Sequence, residues 1–300
     1  MKKQIVSIVY SLSVFIMSIY TSYLHRLHDF QKNFTEIKDL FFKRKIFLTA
    51  GASVVFFFTA ANCKQDYLRG KSPGRDYFSR DFHCKKTLIP AEQKEKYLIY
   101  YDEFRKKIFV KTEKKSVFAV ITGDSTSALF FPERLTKYVP GFEIINRGIG
   151  GDTTYMLLRR LDEDIVSLNP KTIIIEIGGN DILGGRCISA ALQNTDLILN
   201  HLLSRLPTAQ IILVSIPPVS AWKANSITPF YNRKLEYLAD RYSRVQFMDL
   251  WVHLSEEDKP MLKKKYRFFF PDGKLDYVHL NEEGYRKWGE MLIPILKKIR

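Results

Sequence analysis

From Val117 onward, short apolar runs alternate with stretches in which apolar residues return every three or four positions. The runs are 117–122 (VFAVIT), 142–146 (FEIIN), 172–177 (TIIIEI), 211–216 (IILVSI) and 245–250 (VQFMDL). A run that is apolar at successive positions has no solvent face, so it predicts a strand covered on both sides, as in a parallel sheet. Between the runs, 153–168, 189–206 and 231–242 carry helical spacing. Strands separated by helices predict an α/β fold of three layers, with a five-stranded parallel sheet between two layers of helices. In such sheets ligands bind beyond the carboxyl ends of the strands.

Upstream the pattern is different. Residues 5–24 contain no charge and follow Lys2 and Lys3; a helix of that length, at about 1.5 Å per residue, reaches across a hydrocarbon core of about 30 Å. A second apolar run, 46–61, follows Lys43, Arg44 and Lys45. It is short for a span and closer to the core of a signal peptide. Basic flank, apolar core and then Cys63 are similar to a bacterial lipoprotein signal with Cys63 as lipid acceptor, although Asn62 departs from the small residue that such a signal prefers. A helical hairpin is the other arrangement open to these two runs. Residues 64–115 are polar, basic and aromatic, with a helix expected over 91–109. The expected organisation is a membrane-anchor or targeting region (1–62), a basic helical connector (63–115) and a catalytic domain (116–300).

Charge sharpens this division. Residues 1–115 carry 23 Lys and Arg against 11 Asp and Glu, and residues 116–300 carry 24 against 21, so most of the net +15 lies upstream. Basic charge beside apolar segments suits an anionic membrane surface. No groove-reading or base-stacking motif accompanies it, so nucleic acid is not an expected partner. The expected location is the cell envelope, with the catalytic domain outside the cytoplasm. Three cysteines, Cys63, Cys84 and Cys187, do not make a disulfide framework, and without a CxxC they do not make a zinc site. No metal or cofactor is expected.

Three of the apolar runs end in unusual residues: TGDSTS at 122–127, NRGIGGDTT at 146–154 and IGGNDIL at 177–183. A serine is a weak nucleophile, so Ser125 needs a base, a group that orients the base, and donors for the oxyanion it creates. Of six histidines, His25, His28 and His83 lie upstream and His201 lies within an amphipathic helix. His279 has Asp276 three residues before it, in a loop expected to turn into a helix capped by Asn281. That spacing lets the carboxylate reach Nδ1 and leaves Nε2 as the base. His253, four residues after Asp249, is the rival, and His279 is preferred. For the oxyanion, Gly148, Gly150 and Gly151 permit close backbone approach and Asn180 offers a carboxamide.

GDS after the first strand, GIGGDTT after the second, GGND after the third and DxxH before the last helix together resemble the four blocks of the SGNH or GDSL family of ester hydrolases. The resemblance covers residues 117–296, in the family's order, and the spelling GIGGDTT is similar to its platelet-activating-factor acetylhydrolase branch. It implies a flavodoxin-like three-layer fold, with Ser125 as nucleophile, His279 as general base and acid, and Asp276 as its orienting carboxylate. The oxyanion would be held by the backbone N–H groups of Ser125 and Gly151 and by the side chain of Asn180. The substrates implied are short acyl or acetyl esters of lipids or O-acylated glycans, or thioesters. The loops at 184–190, 217–230 and 255–274 carry no signature that selects among them. A different class shares the fold: a catalytically inactive binding module of the envelope.

Overall fold

The computed structural model describes residues 116–300, together with Ile99, residues 101–103 and Phe109. The expected spans at 5–24 and 46–61 and the candidate lipid acceptor Cys63 lie outside the described residues. No helix among those described is long and apolar enough to cross a membrane.

Five parallel strands form the central sheet: β1 (Ala119–Gly123), β2 (Ile144–Gly148), β3 (Thr172–Glu176), β4 (Gln210–Val214) and β5 (Val245–Met248), in the order β2-β1-β3-β4-β5. After β1 come α1 (Ser125–Ala128) and α2 (Pro132–Tyr138), and after β2 come α3 (Thr154–Arg159) and α4 (Leu161–Asp164). β3 leads to α5 (Gly179–Leu183) and α6 (Ile188–Arg205), β4 to α7 (Trp222–Asn225) and α8 (Thr228–Ala239), and β5 to α9 (Trp251–Leu254). The chain ends with the antiparallel hairpin β6 (Arg267–Phe269) and β7 (Leu275–Leu280), then α10 (Glu282–Ile299).

The strand side chains show why the runs are continuously apolar. Val120, Ile173, Ile175, Ile211 and Leu213 point to one face, against Leu157 of α3, Ile198 and Leu202 of α6 and Leu235 of α8. Ile121, Ile174, Ile212 and Val214 point to the other, against Leu135 of α2 and Trp288, Leu292 and Leu296 of α10. Each such side chain, removed fully from water, contributes about 1.5–3 kcal/mol. The expected three-layer architecture is therefore the one observed.

Two local expectations differ from the structure. The helix expected over 153–168 is broken at Arg160, whose φ of −116° and ψ of 9° lie outside the helical well. The break turns its guanidinium into the interior, where it pairs with Asp152 and Asp164. Asp276 and His279 lie on the strand β7, not in a loop that turns into a helix. The hairpin closes through Pro271, Asp272 and Gly273: the Gly273 amide donates to Phe270 O at 2.9 Å, and Gly273 has φ +80°. Asn281 caps α10 as expected, accepting from the Gly284 amide at 3.1 Å. Its own amide group donates to Lys265 O and Arg267 O, which fixes the helix start to the hairpin.

Candidate active site

The sheet register brings the three strand ends to one level, because Gly123 is paired with Gly148 on one side and with Glu176 on the other. A Cβ on Gly123 would lie 1.7 Å from the Glu176 carbonyl oxygen, and its φ is +146°. Only glycine allows the chain to leave β1 so closely against β3. Asp124 then accepts the Thr126 amide at 2.9 Å and starts α1, with Ser125 as the first helical residue.

Residues three apart on a regular strand face opposite sides, yet Asp276 and His279 meet. The cause is an Asx-type bend: Asp276 Oδ1 accepts the amides of Val278 and His279 at 2.8 and 3.0 Å. Its Oδ2 is thereby left 2.8 Å from His279 Nδ1. Burial works to raise the Asp276 pKa, but the bonds from the His279 ring and from the two amides outweigh it and hold the carboxyl below the usual carboxylate range. An ionised carboxylate only accepts, so the ring proton sits on Nδ1 and Nε2 is an acceptor. The Ser125 hydroxyl donates to that Nε2 at 2.9 Å.

The loop after β2 passes over the serine, where a Cβ on Gly150 would lie 3.8 Å from Ser125 Cβ. Residues 149–152 form a tight turn closed by the Asp152 amide donating to Ile149 O at 3.1 Å. Gly151 stands at its third position with φ +83°, the conformation a type II turn demands there. Asn180, in the first turn of α5, donates through Nδ2 to Asp152 O at 2.9 Å. Asp181 accepts both the amide and the hydroxyl of Thr154, tying the two loops together. The expected set Ser125, Gly151, Asn180, Asp276 and His279 thus converges on one rim of the sheet.

The rivals do not converge. His253 is exposed, and Asp249 faces the Ser215 hydroxyl and the Val252 amide at 3.3 Å each. His201 pairs with Asp162 on the surface.

Beneath the serine lie groups that the motifs did not single out. Glu176 and Asp124 are both buried, and each acts on the other's ionisation. Burial, then the neighbouring Asp124 charge, push Glu176 well above the usual carboxyl range, and burial pushes Asp124 up to about 6. A charge inside a run otherwise apolar on both faces, as in TIIIEI, is the signal by which the sequence could have shown Glu176. Asp152, Arg160 and Asp164 form a second buried cluster, joined by Tyr101 from upstream. Cys187, on the loop between α5 and α6, is disulfide-bonded. The reading of the three cysteines as no disulfide framework did not foresee this bridge.

Beside Ser125 and Asn180 opens a small cavity of about 30 Å³, lined on its apolar side by Ile182, Leu183, Ile216, Pro217, Val219 and Val278. Among the described residues no cluster of three His, Cys, Asp or Glu side chains is arranged to hold a metal ion.

A family model described as GDSL-like lipase/acylhydrolase matches residues 116–287. Among solved structures, one described provisionally as a platelet activating factor from Streptococcus pneumonia is similar at 26% identity with a TM-score of 0.54, covering 68% of this chain and 93% of that one. A provisionally assigned acylhydrolase from Bacteroides fragilis is similar at 22% identity and TM-score 0.52, covering 67% and 96%. A GDSL-like lipase from Bacteroides thetaiotaomicron is similar at 19% identity and TM-score 0.51, covering 67% and 97%. No curated protein matches the chain.

Proposed function

Because this chain belongs to the GDSL-like lipase/acylhydrolase family, and is an ester hydrolase of that family, we propose that Ser125 is its nucleophile and that it removes short acyl groups through an acyl-enzyme. The observation that carries the reading is the continuous line from Asp276 Oδ2 through His279 to Ser125 Oγ, with contacts of 2.8 and 2.9 Å. Ser125 Oγ attacks the ester carbonyl while its proton passes to His279 Nε2, and Asp276 stabilises the imidazolium that forms. The carbonyl oxygen becomes an oxyanion held by the Ser125 and Gly151 amides and by Asn180 Nδ2. Loss of one such donor typically costs about 2.7–4 kcal/mol of transition-state stabilisation. The C–O bond breaks, the alcohol leaves with the proton from His279, and a water activated by the same nitrogen releases the acyl group.

The narrow apolar cavity beside Ser125 supports a short acyl chain, acetyl above all. The similarity at 26% identity to the Streptococcus protein supports placing the chain near the platelet-activating-factor acetylhydrolase branch. Lipid esters and O-acylated glycans are the substrate classes of this reading. The inactive binding module that shares the fold is disfavoured by a serine already hydrogen-bonded to its base. We place the domain outside the cytoplasm, held to the membrane by the apolar runs at 5–24 and 46–61 with their basic flanks. The disulfide at Cys187 supports an oxidising compartment.

A fluorophosphonate probe tests the centre of the proposal. The wild-type protein is expected to label and to hydrolyse an activated acetyl ester, and Ser125→Ala to do neither. Labelling that persists in the alanine variant removes Ser125 from its role.

A further inference from the structure

Resting on the reading of Gly151 and Asn180 as oxyanion donors, we propose that Tyr101, which precedes the matched family residues 116–287, is a positioning residue for the oxyanion loop. Asp152 is the hub of that loop. Its amide closes the turn that presents Gly151, and its carbonyl accepts Asn180 Nδ2 at 2.9 Å. One residue therefore follows the first donor in the chain and holds the second.

The Asp152 carboxylate anchors the hub from below. Arg160 takes Oδ2 through Nε and a terminal nitrogen, at 2.8 and 2.7 Å, and also reaches Thr122 Oγ1 and Gly123 O at the end of β1. Both Arg160 contacts fall on one carboxylate oxygen, about which the group could still pivot. The Tyr101 hydroxyl donates to the other oxygen, Oδ1, and two attachment points on two oxygens define the plane. Burial raises the Tyr101 pKa far beyond its ordinary value, so the phenol is a neutral donor throughout the working range of a histidine-based enzyme. Its ring packs with Ile149 and Met156, beside Phe109 and Tyr155. Ile149 is the first residue of the turn, so ring and hydroxyl act on the same four residues. Phe109 adds a second upstream contact, with the Arg147 guanidinium 4.7 Å from its ring centroid.

The experiment compares full-length wild type with Tyr101→Phe, which keeps the ring and removes the hydroxyl. Active sites are titrated with the fluorophosphonate, and kcat per titrated site and KM are then measured on an activated acetyl ester, with the melting temperature alongside. A donor displaced by a fraction of an ångström is expected to lower kcat per site about ten-fold with KM within about two-fold, since misplacement by 1 Å costs about a hundred-fold. The rate of fluorophosphonate labelling should fall in step, because its phosphoryl oxygen occupies the same hole. A kcat per site within two-fold of wild type, whatever the change in melting temperature, overturns the proposal and leaves Tyr101 a packing residue. Tyr101→Leu takes the place of the phenylalanine variant if that one does not fold, under the same criterion. Failure of the wild type itself to label at Ser125 would instead refute the proposed function, so the two failures are distinguishable.

Discussion

Replacing Asp276 by Asn keeps the shape of the side chain and changes which nitrogen of His279 carries the proton. In the native protein Oδ1 accepts two backbone amides, from Val278 and His279, at 2.8 and 3.0 Å. The carboxamide oxygen must take that place in the variant, because aiming an NH2 group at two N–H donors would leave those donors unpaired at about 1–3 kcal/mol each. The NH2 group then faces His279 Nδ1, now 2.8 Å from Oδ2. Nδ1 becomes the acceptor and the ring proton moves to Nε2. That nitrogen, 2.9 Å from Ser125 Oγ, donates to the hydroxyl from which it should take a proton. A base fixed in the wrong tautomer costs about 10⁴ in kcat in the Ser-His-Asp template, or about 5.4 kcal/mol at 1.36 kcal/mol per decade. Steady-state kinetics on an activated acetyl ester should show this loss in kcat with KM nearly unchanged and a melting temperature within a few degrees of wild type. Asp249→Asn is the control, since that carboxyl faces Ser215 and the Val252 amide, and it should leave kcat unaltered. A loss of less than ten-fold in Asp276→Asn would refute the argument that this carboxylate sets the tautomer.

The lowered pKa of Asp276 means that its contribution to stability is fully present above its unfolded pKa of about 3.9 and is lost as pH falls through the folded value. Denaturant unfolding should therefore show a gap between wild type and Asp276→Asn that closes in acid; a gap that widens there would contradict the linkage. Glu176→Gln should keep kcat within about three-fold and the melting temperature nearly constant, because the carboxamide is polar and adds no charge beside Asp124, where burial and the Asp124 charge already disfavour a carboxylate, whereas Glu176→Leu, which also removes a partner of the Ser127 hydroxyl, should lower both; an equal loss in the two variants would exclude a need for a neutral polar group at this position. Ile216→Ala should enlarge the cavity and raise kcat/KM for butyryl over acetyl esters by about ten-fold, in line with about 1–3 kcal/mol per methylene; an unchanged ratio would place the acyl group elsewhere. Peptide mapping without reductant should recover Cys187 joined to Cys63 or Cys84, and only the Cys84 link leaves Cys63 open to lipid, so a Cys63–Cys187 peptide would rule out the lipoprotein reading.

The sheet was legible because each of its strands is apolar on both faces, and the five expected runs lie within two residues of the observed strands at every boundary. Helices α6 and α8 were legible for the related reason that each has one apolar stripe. The break between α3 and α4 was not, since Arg160 reads as a surface residue in an amphipathic pattern. Its two buried carboxylate partners, one of them eight residues upstream, make its inward turn favourable. The β6–β7 hairpin was missed although Pro-Asp-Gly at 271–273 is a turn signal with a known mechanism. The loop expected around Asp276 and His279 is instead its second strand.

At the site, legibility followed the kind of constraint. The proposed set of Ser125, Gly151, Asn180, Asp276 and His279 could be named because each stands in a short block whose spelling reflects local geometry: a tight turn, a strand exit or an Asx bend. The groups that hold those blocks against one another have no local spelling. Tyr101 meets Asp152 across 51 residues, Arg160 reaches Gly123 across 37, and Glu176 is recognisable only as a charge where none should be. Burying such groups costs several kcal/mol per ion before pairing. Apolar residues at these positions would give the layer comparable stability without fixing the loops that carry the proposed donors. The buried polar layer is therefore best explained by the positions it imposes on the rim above, and this is what comparison of Tyr101→Phe with Glu176→Gln measures. The first removes an imposed position, and the second preserves one.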